Sequence, residues 1–450
     1  MSVAPLNLSW ATQTRARETS SALREPDWLT ADRLAAIEKV AQLPAEPNQL
    51  FMTYLDLRAV DFTAVEPYLP APAAECLTDA TLPEGAAALV HVDERALVGC
   101  ALSDEAREAG VLIAPLAEVA RDRPELIREF IEGGGSLPHD DAFGHVARAF
   151  NSLGLVIHVP AGVELAAPIV LRWSAGAPGF GFISRTLILL GEGAHASIFE
   201  EQVASSGAAS ETGARADSMW WGTTEIDVGE GATLDFAGEQ DFGPGTAVFA
   251  SRQARVGRDA TISWAVASVG SRVHRSRIEN LLEGRGATVK QVEIGFGDGK
   301  QLFDLTSYTR HRGEDTTSDL LSKGVFTGKS RGYIKGLIDI PHSGRGTDSF
   351  LGEFSMLLQR TARSVTIPSL EIDQPDCRRA MHSSSVGPID ETQVFYLMSR
   401  GLSRDAARKA IVMGFLEPVV ARIPLPDAQD RLRDLLRRKW PEGAASRSAA

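Results

Sequence analysis

The chain has 450 residues, 44 % hydrophobic and 23 % charged, with a formal net charge of −13. That length supports a large core, and the composition excludes a chain disordered throughout. The acidic balance argues against nucleic acid as the main partner, because phosphate binding needs a basic footprint.

The opening residues have no apolar stretch of the kind a secretory signal needs, and no apolar run reaches the ~18 residues of a membrane span. Three cysteines, Cys76, Cys100 and Cys377, form no CxxC pair. A sparse, odd count fits a reducing cytoplasm, and Cys76 and Cys100 read as plain buried thiols.

Residues 1 to about 45 are predicted helical, with Thr30 capping a helix that carries Leu34, Ile37 and Ala41 and ends at Leu43-Pro44. A Pro-rich mixed stretch follows, with a strand expected at Ala88–Val92. Ser103-Asp104-Glu105 opens a short helix, and Val111-Leu112-Ile113 reads as a strand. Asp122 is expected to cap a helix with Leu126, Ile127 and Phe130 on its apolar face, stopped by Gly133-Gly134-Gly135. Asp140-Asp141 begins another, with Phe143, Val146 and Phe150 inward.

The character changes at Gly154. From there to about Gly387 short β-like runs are separated by Gly and polar turns. A loose repeat accompanies them, with turns starting at Gly191, Gly229, Gly257 and Gly284, which lie 38, 28 and 27 residues apart. Each unit is a tight turn, a small residue and a strand. Such periods suit stacked coils, in which each coil buries its inner face only against its neighbours. The alternative is a large β-sandwich with Gly turns.

After Gly387 the pattern is helical again. Asp390 with Gln393 opens one helix, which stops at Gly401. Ser403 caps the next, with Ala406, Ala410, Ile411 and Phe415 on one face. Pro424 and Pro426 break the chain, and Asp427 caps a last amphipathic helix with Leu432, Leu435 and Leu436. The expected organisation is an N-terminal helical and mixed region (1–152), a parallel β-helix core (153–387) and a C-terminal helical domain (388–450). The fold class is mainly β.

Enzymatic motifs fail one by one. Gly324-Val325-Phe326-Thr327-Gly328-Lys329-Ser330 is one residue short of a P-loop, whose amide nest needs four residues between the glycines. It reads as a Gly turn in a β run, so this chain is expected to bind no nucleotide. No dinucleotide fingerprint, nucleophile elbow or HExxH is present. Asp140 and Asp141 beside His139 are explained as helix caps, and the scattered histidines as structural. Cys377 lies between Asp376 and Arg378-Arg379, two cations that would lower its pKa.

The C-terminal third carries a more specific signal. Ser364–Ile372 precedes His382-Ser383-Ser384-Ser385-Val386-Gly387, then Ile389–Gly401 and Gly414-Phe415. Upstream stand Gln301-Leu302-Phe303-Asp304, His311, Thr316-Thr317-Ser318, Gly324-Val325, Ser330-Arg331-Gly332 and Thr347-Asp348. Together these resemble the SufB/SufD family of iron–sulfur cluster assembly proteins over residues 140–424, with the N-terminal region matching in outline.

The resemblance implies a right-handed parallel β-helix flanked by helical domains, and a non-enzymatic scaffold subunit. It implies a SufB-like paralogue and a SufC-like ABC ATPase as partners, with no nucleic acid and no membrane. The ATPase contact is expected at residues 403–424, including Phe415. A transient iron–sulfur cluster is expected at the interface between paralogues. Nothing in the sequence decides on a flavin.

Within the family the thiol-free stretch between Cys100 and Cys377 and the absence of a SufB-like middle segment favour a SufD-like chain. His382 matches the interface histidine of SufD-like loops, which makes it a candidate cluster-binding residue and metal ligand. The family often has Cys two residues earlier, where this chain has Ala380. Cys377 is a weaker candidate, able to join His382 only if the loop folds back. The alternatives are a SufB-like homodimeric cluster scaffold and, from another class, a β-helical carbohydrate-active enzyme using paired carboxylates.

Overall fold

The computed structural model describes residues 5–71, 81–133, 138–208, 216–422 and 426–440. Two helices open the chain, α1 (Gln13–Leu23) and α2 (Asp27–Gln42). The helical stretch expected here breaks at Arg24, which is left-handed (φ 55°) and closes α1. Thr30 lies inside α2 rather than capping it. Pro26 holds the N-cap position, and the Thr30 hydroxyl instead shares a hydrogen bond with Ser20 at 2.6 Å, tying the two helices together.

The mixed region contains β1 (Glu66–Pro67), β2 (Ala88–Asp93), β3 (Ala96–Leu102), α3 (Asp104–Glu108), β4 (Leu112–Pro115), α4 (Leu116–Asp122), α5 (Arg128–Glu132) and α6 (Ala142–Phe150). Asp122 ends α4 rather than capping a new helix. Pro124 forces a single 3-10 turn before α5 begins. Asp141 caps α6 as expected, accepting from the Phe143 N–H. Its buried carboxylate also takes the Ser251 hydroxyl (2.5 Å) and Arg275 (3.1 Å).

The remaining strands are β5 (Leu153–Val159), β6 (Ile169–Ala175), β7 (Phe180–Leu190), β8 (His195–Ala204), β9 (Ser218–Val228), β10 (Thr233–Asp241), β11 (Thr246–Val256), β12 (Thr261–Ser268), β13 (Val273–Leu282), β14 (Thr288–Gly297), β15 (Leu302–His311), β16 (Thr317–Phe326), β17 (Arg331–Ile340), β18 (Asp348–Leu357), β19 (Arg363–Ile372) and β20 (Arg379–Pro388). They alternate between two sheets. Odd strands pair in the order β19-β17-β15-β13-β11-β9-β7-β5, extended by β4; even strands run β20-β18-β16-β14-β12-β10-β8-β6, extended by β2 and β3. All pairs among β5–β20 are parallel and in continuous register. This is a two-sheet parallel β-solenoid, the fold class expected.

The repeat now has a physical basis. In six turns from odd to even strand the residue two before the next strand is left-handed: Gly193, Gly231, Asp259, Gly286, Asp315 and Gly346, all with φ between 54° and 74°. Only Gly, or an Asp that bonds locally, takes that conformation cheaply. Its N–H then donates to the coil above, as Gly193 does to the Glu230 carbonyl and Gly286 to Glu314. The first interval in the repeat is longer because β8 and β9 are joined by a longer connection, residues 205–217.

Three apolar layers hold the solenoid. The lumen is filled by residues such as Trp173, Ile226, Phe236, Ile262, Trp264 and Leu351. α1, α2 and α6 cover the outer face of the odd sheet, where Phe143 stacks on Phe249 at 4.9 Å. The C-terminal helices α7 (Glu391–Ser399), α8 (Arg404–Val420) and α9 (Pro426–Lys439) lie at the other side, with α8 and α9 on the outer face of the even sheet. Pro426 opens α9, so Asp427 stands in its first turn and not at its cap. Pro424 lies outside the described residues. No described helix is long and apolar enough to cross a membrane.

Candidate functional site

The solenoid ends in an open coil. β19 and β20 are the last strands of their sheets, so each is paired on one side only. An unpaired edge presents a row of backbone N–H and C=O groups, a template for another chain. The interior strands are buried almost throughout, whereas β19 is half-buried and β20 is exposed along most of its length. Ile372, Met381 and Val386 are large apolar residues left open on this face.

His382 sits in the middle of β20, in register with Leu351 of β18. Side chains in parallel register share a face, and Leu351 belongs to the lumen core. His382 therefore stands on the lumen side of the last coil, exposed because no further coil covers it. Ala380, two residues before His382, where the family often carries Cys, packs against the lumen core.

Cys377 is the free cysteine among the described residues. Cys100 is buried and disulfide-bonded, which corrects the plain thiol expected there. Cys76 lies outside the described residues. Cys377 occupies the last turn, and its thiol donates to the Gln374 carbonyl at 3.1 Å. The expectation of a lowered pKa is also corrected. Burial and the neighbouring Asp376 carboxylate push the thiol up. The two cations are engaged elsewhere: Arg378 pairs with Asp315 and Arg379 with Asp348, each at 2.6 Å.

The loop does not fold back. β20 is extended from Arg379, at ~3.4 Å per residue, so Cys377 and His382 stand well apart along the edge. Among the described residues no group of three or more His, Cys, Asp or Glu gathers as a metal site.

The near-P-loop is a structural turn. Gly324 lies inside β16, and Gly328 (φ 63°) makes the turn to β17. The Ser330 hydroxyl is buried and donates to backbone carbonyls of Thr327 and Gly297. Lys323 anchors α8: its Nζ donates to the Phe415 carbonyl at 2.6 Å and lies over the Phe415 ring.

The apolar surface of the C-terminal helices differs from the expected one. The buried face of α8 is Ala407, Val412, Leu416, Val419 and Val420, one step round from Ala406, Ala410, Ile411 and Phe415. The exposed apolar residues lie before residue 403. Phe395 is 72 % and Tyr396 56 % exposed on α7, joined by Met398 and Leu402. Sequence reasoning missed this face, although adjacent aromatics in a short capped helix were the available signal. It also missed two carboxyls in the lumen, Glu293 and Glu353, each 1 % exposed.

The fold is an end-open parallel β-solenoid, helix-covered on both faces and carrying an exposed edge strand. Residues 173–415 match the family model described as SUF system FeS cluster assembly, SufBD core domain, and the chain belongs to that family. Its similarity extends well beyond the core. The iron–sulfur cluster assembly protein SufD of Bacillus subtilis is 23 % identical over 92 % of this chain and 95 % of its own length. SufBD family proteins of Staphylococcus epidermidis and Staphylococcus haemolyticus are each 25 % identical, covering 92 % and 94 % of this chain and 90 % and 91 % of theirs.

Proposed function

We propose that this chain is the SufD-like subunit of a SUF scaffold, acting as a binding partner and not as an enzyme, in the cytoplasm. The observation that carries the reading is the open terminal coil: β19 and β20 leave both sheets unfinished at one end, with His382 on the lumen side. A SufB-like paralogue of the same fold would continue both sheets there. A nascent iron–sulfur cluster is then cargo at the junction, held by His382 together with the partner's ligands. Cys377, with a raised pKa and a spent hydrogen bond, is the weaker contributor. A SufC-like ATPase would dock on the exposed aromatic face of α7.

The test is affinity purification of the tagged chain from its source cells, with identification of what accompanies it. Recovery of a P-loop ATPase and a cysteine-bearing paralogue supports the reading. Recovery of the chain alone as a dimer carrying iron and sulfide overturns it and makes this chain a SufB-like scaffold.

A further inference from the structure

One corner of the solenoid, where the chain passes from an even strand to the next odd one, is formed by residues 242–245, 269–272 and 298–301 in successive coils. α9 ends against this corner. The Lys439 Nζ donates to Asp298 (3.3 Å) and to Gln301 (2.8 Å). Between helix end and corner lies a cavity of about 600 Å³, whose charged lining residues are Asp241, Arg272, Asp298, Lys300 and Lys439. It is remote in the fold from the open coil at β19 and β20.

Its donors are not matched by acceptors. Arg272 spends one terminal nitrogen on the Lys300 carbonyl, while its Nε is buried with no acceptor, and no carboxylate pairs with it among the described residues. Burial without a counter-charge pulls its pKa down. Ser271 beside it is 1 % exposed, and its hydroxyl has no partner. Ser271 is also left-handed (φ 67°), a conformation unfavourable for a residue with a Cβ. Asp298 is answered by Lys439, and the cations that act on Asp241 are Lys439 and Arg438, so neither carboxylate of the lining is matched to Arg272.

Buried donors without acceptors carry their full desolvation cost, and a guanidinium with no anion is an incomplete ion pair. An oxyanion completes both, because guanidinium and hydroxyl donors match the lone pairs of a phosphate or carboxylate. We propose that this cavity binds a small molecule through an oxyanion, either a phosphate ester or a carboxylate, held by Arg272 and Ser271 with Lys300 at the mouth. The site does not depend on the SUF reading.

The test is calorimetric titration of the full chain with inorganic phosphate and, separately, with succinate. Binding of at least one probe is expected. Arg272→Gln should weaken it ~10- to 100-fold, the effect of losing a charge-assisted hydrogen bond; Ser271→Ala should weaken it less. Lys329→Gln, an exposed lysine one turn away and outside the lining, should leave it unchanged. Phosphate binding alone assigns the site to phosphate esters, and succinate binding alone to carboxylates. If Arg272→Gln fails to fold, Arg272→Lys keeps the charge while removing the Nε donor, and loss of binding in a folded variant supports the site. Failure of both probes to bind at millimolar concentration overturns it. So does binding that is indifferent to the Arg272 and Ser271 variants.

Discussion

His382 and Leu351 are register partners across the last even-sheet pair, yet Leu351 is 1 % exposed and His382 is open to solvent. The two positions are equivalent in backbone geometry and differ only in whether another coil follows. His382 is thus a core position without its cover. Replacing it with Ala should leave the isolated chain's thermal unfolding unchanged within ~0.5 kcal/mol, as for an exposed side chain with no hydrogen bond to the described residues. The same variant should lower the iron and sulfide content of the purified complex. A large loss of stability in the isolated chain would instead make His382 a structural residue.

The edge itself makes a separate expectation. Met381 and Val386 are exposed apolar residues on β20. Lysine on an edge strand opposes pairing by another chain, since its charge must be desolvated. Met381→Lys with Val386→Lys should leave a folded monomer, as judged by circular dichroism, and abolish recovery of the paralogue. Co-purification at the wild-type level would show that the partner docks elsewhere.

The α7 face is expected to answer to a different partner. Phe395→Ala with Tyr396→Ala removes two strongly exposed aromatic side chains while touching little of the core, because Val394 is the buried residue of that helix. The ATPase should be lost from the pull-down while the paralogue remains. Retention of the ATPase would return attention to residues 403–424.

Much of this fold was legible because its constraints are local. The turn repeat fixes a left-handed residue in coil after coil up to Gly346, so Gly231 and Gly286 announce themselves in the sequence. Helix caps such as Ser103, Asp141, Asp390 and Ser403 each accept a backbone N–H where expected. Thr30 and Asp122 misled because a capping residue type also serves inside or at the end of a helix, and only tertiary packing decides. The α8 face was read one step out of phase because its amphipathicity is weak, with Pro418 inside the helix and small residues on both sides. At the site, His382 was legible from its motif, but the state of Cys377 was not. Arg378 and Arg379 are adjacent in sequence and committed in space to Asp315 and Asp348.

The turn geometry predicts a cost for adding a single methyl group. Gly286 has φ 73°, and a Cβ there would sit 2.3 Å from the Asp259 Oδ1 in the turn below. Gly286→Ala should destabilise the chain by ~1–3 kcal/mol through strain and that clash. Asp259→Gly, at the equivalent position one coil earlier, should be close to neutral or stabilising, because Asp259 already bears the strain of φ 54°. Thermal unfolding of the two variants should move in opposite directions or at least differ clearly.

The lumen carboxyls set the last expectation, a pH dependence of stability. Glu353 and Glu293 lie inside the solenoid and form no ion pair among the described residues. Burial pushes Glu353 up to about 8 and Glu293 to about 7, against an ordinary 4.5 in the unfolded chain. Below 4.5 both states hold the proton, and neither group affects stability. Between 4.5 and about 8 the unfolded chain releases the Glu353 proton while the folded chain keeps it. The unfolded state then binds fewer protons, so stability falls as pH rises, by up to ~1.4 kcal/mol per pH unit for one fully titrating group. Glu353→Gln keeps the shape and removes the titration. It should unfold at a higher temperature than wild type at pH 8 and match it more closely at pH 5, with the difference growing as pH rises. A variant that loses stability equally at both pH values would show that the carboxylate is held ionised by a partner, and that the lumen is not the dry, proton-retaining interior its packing describes.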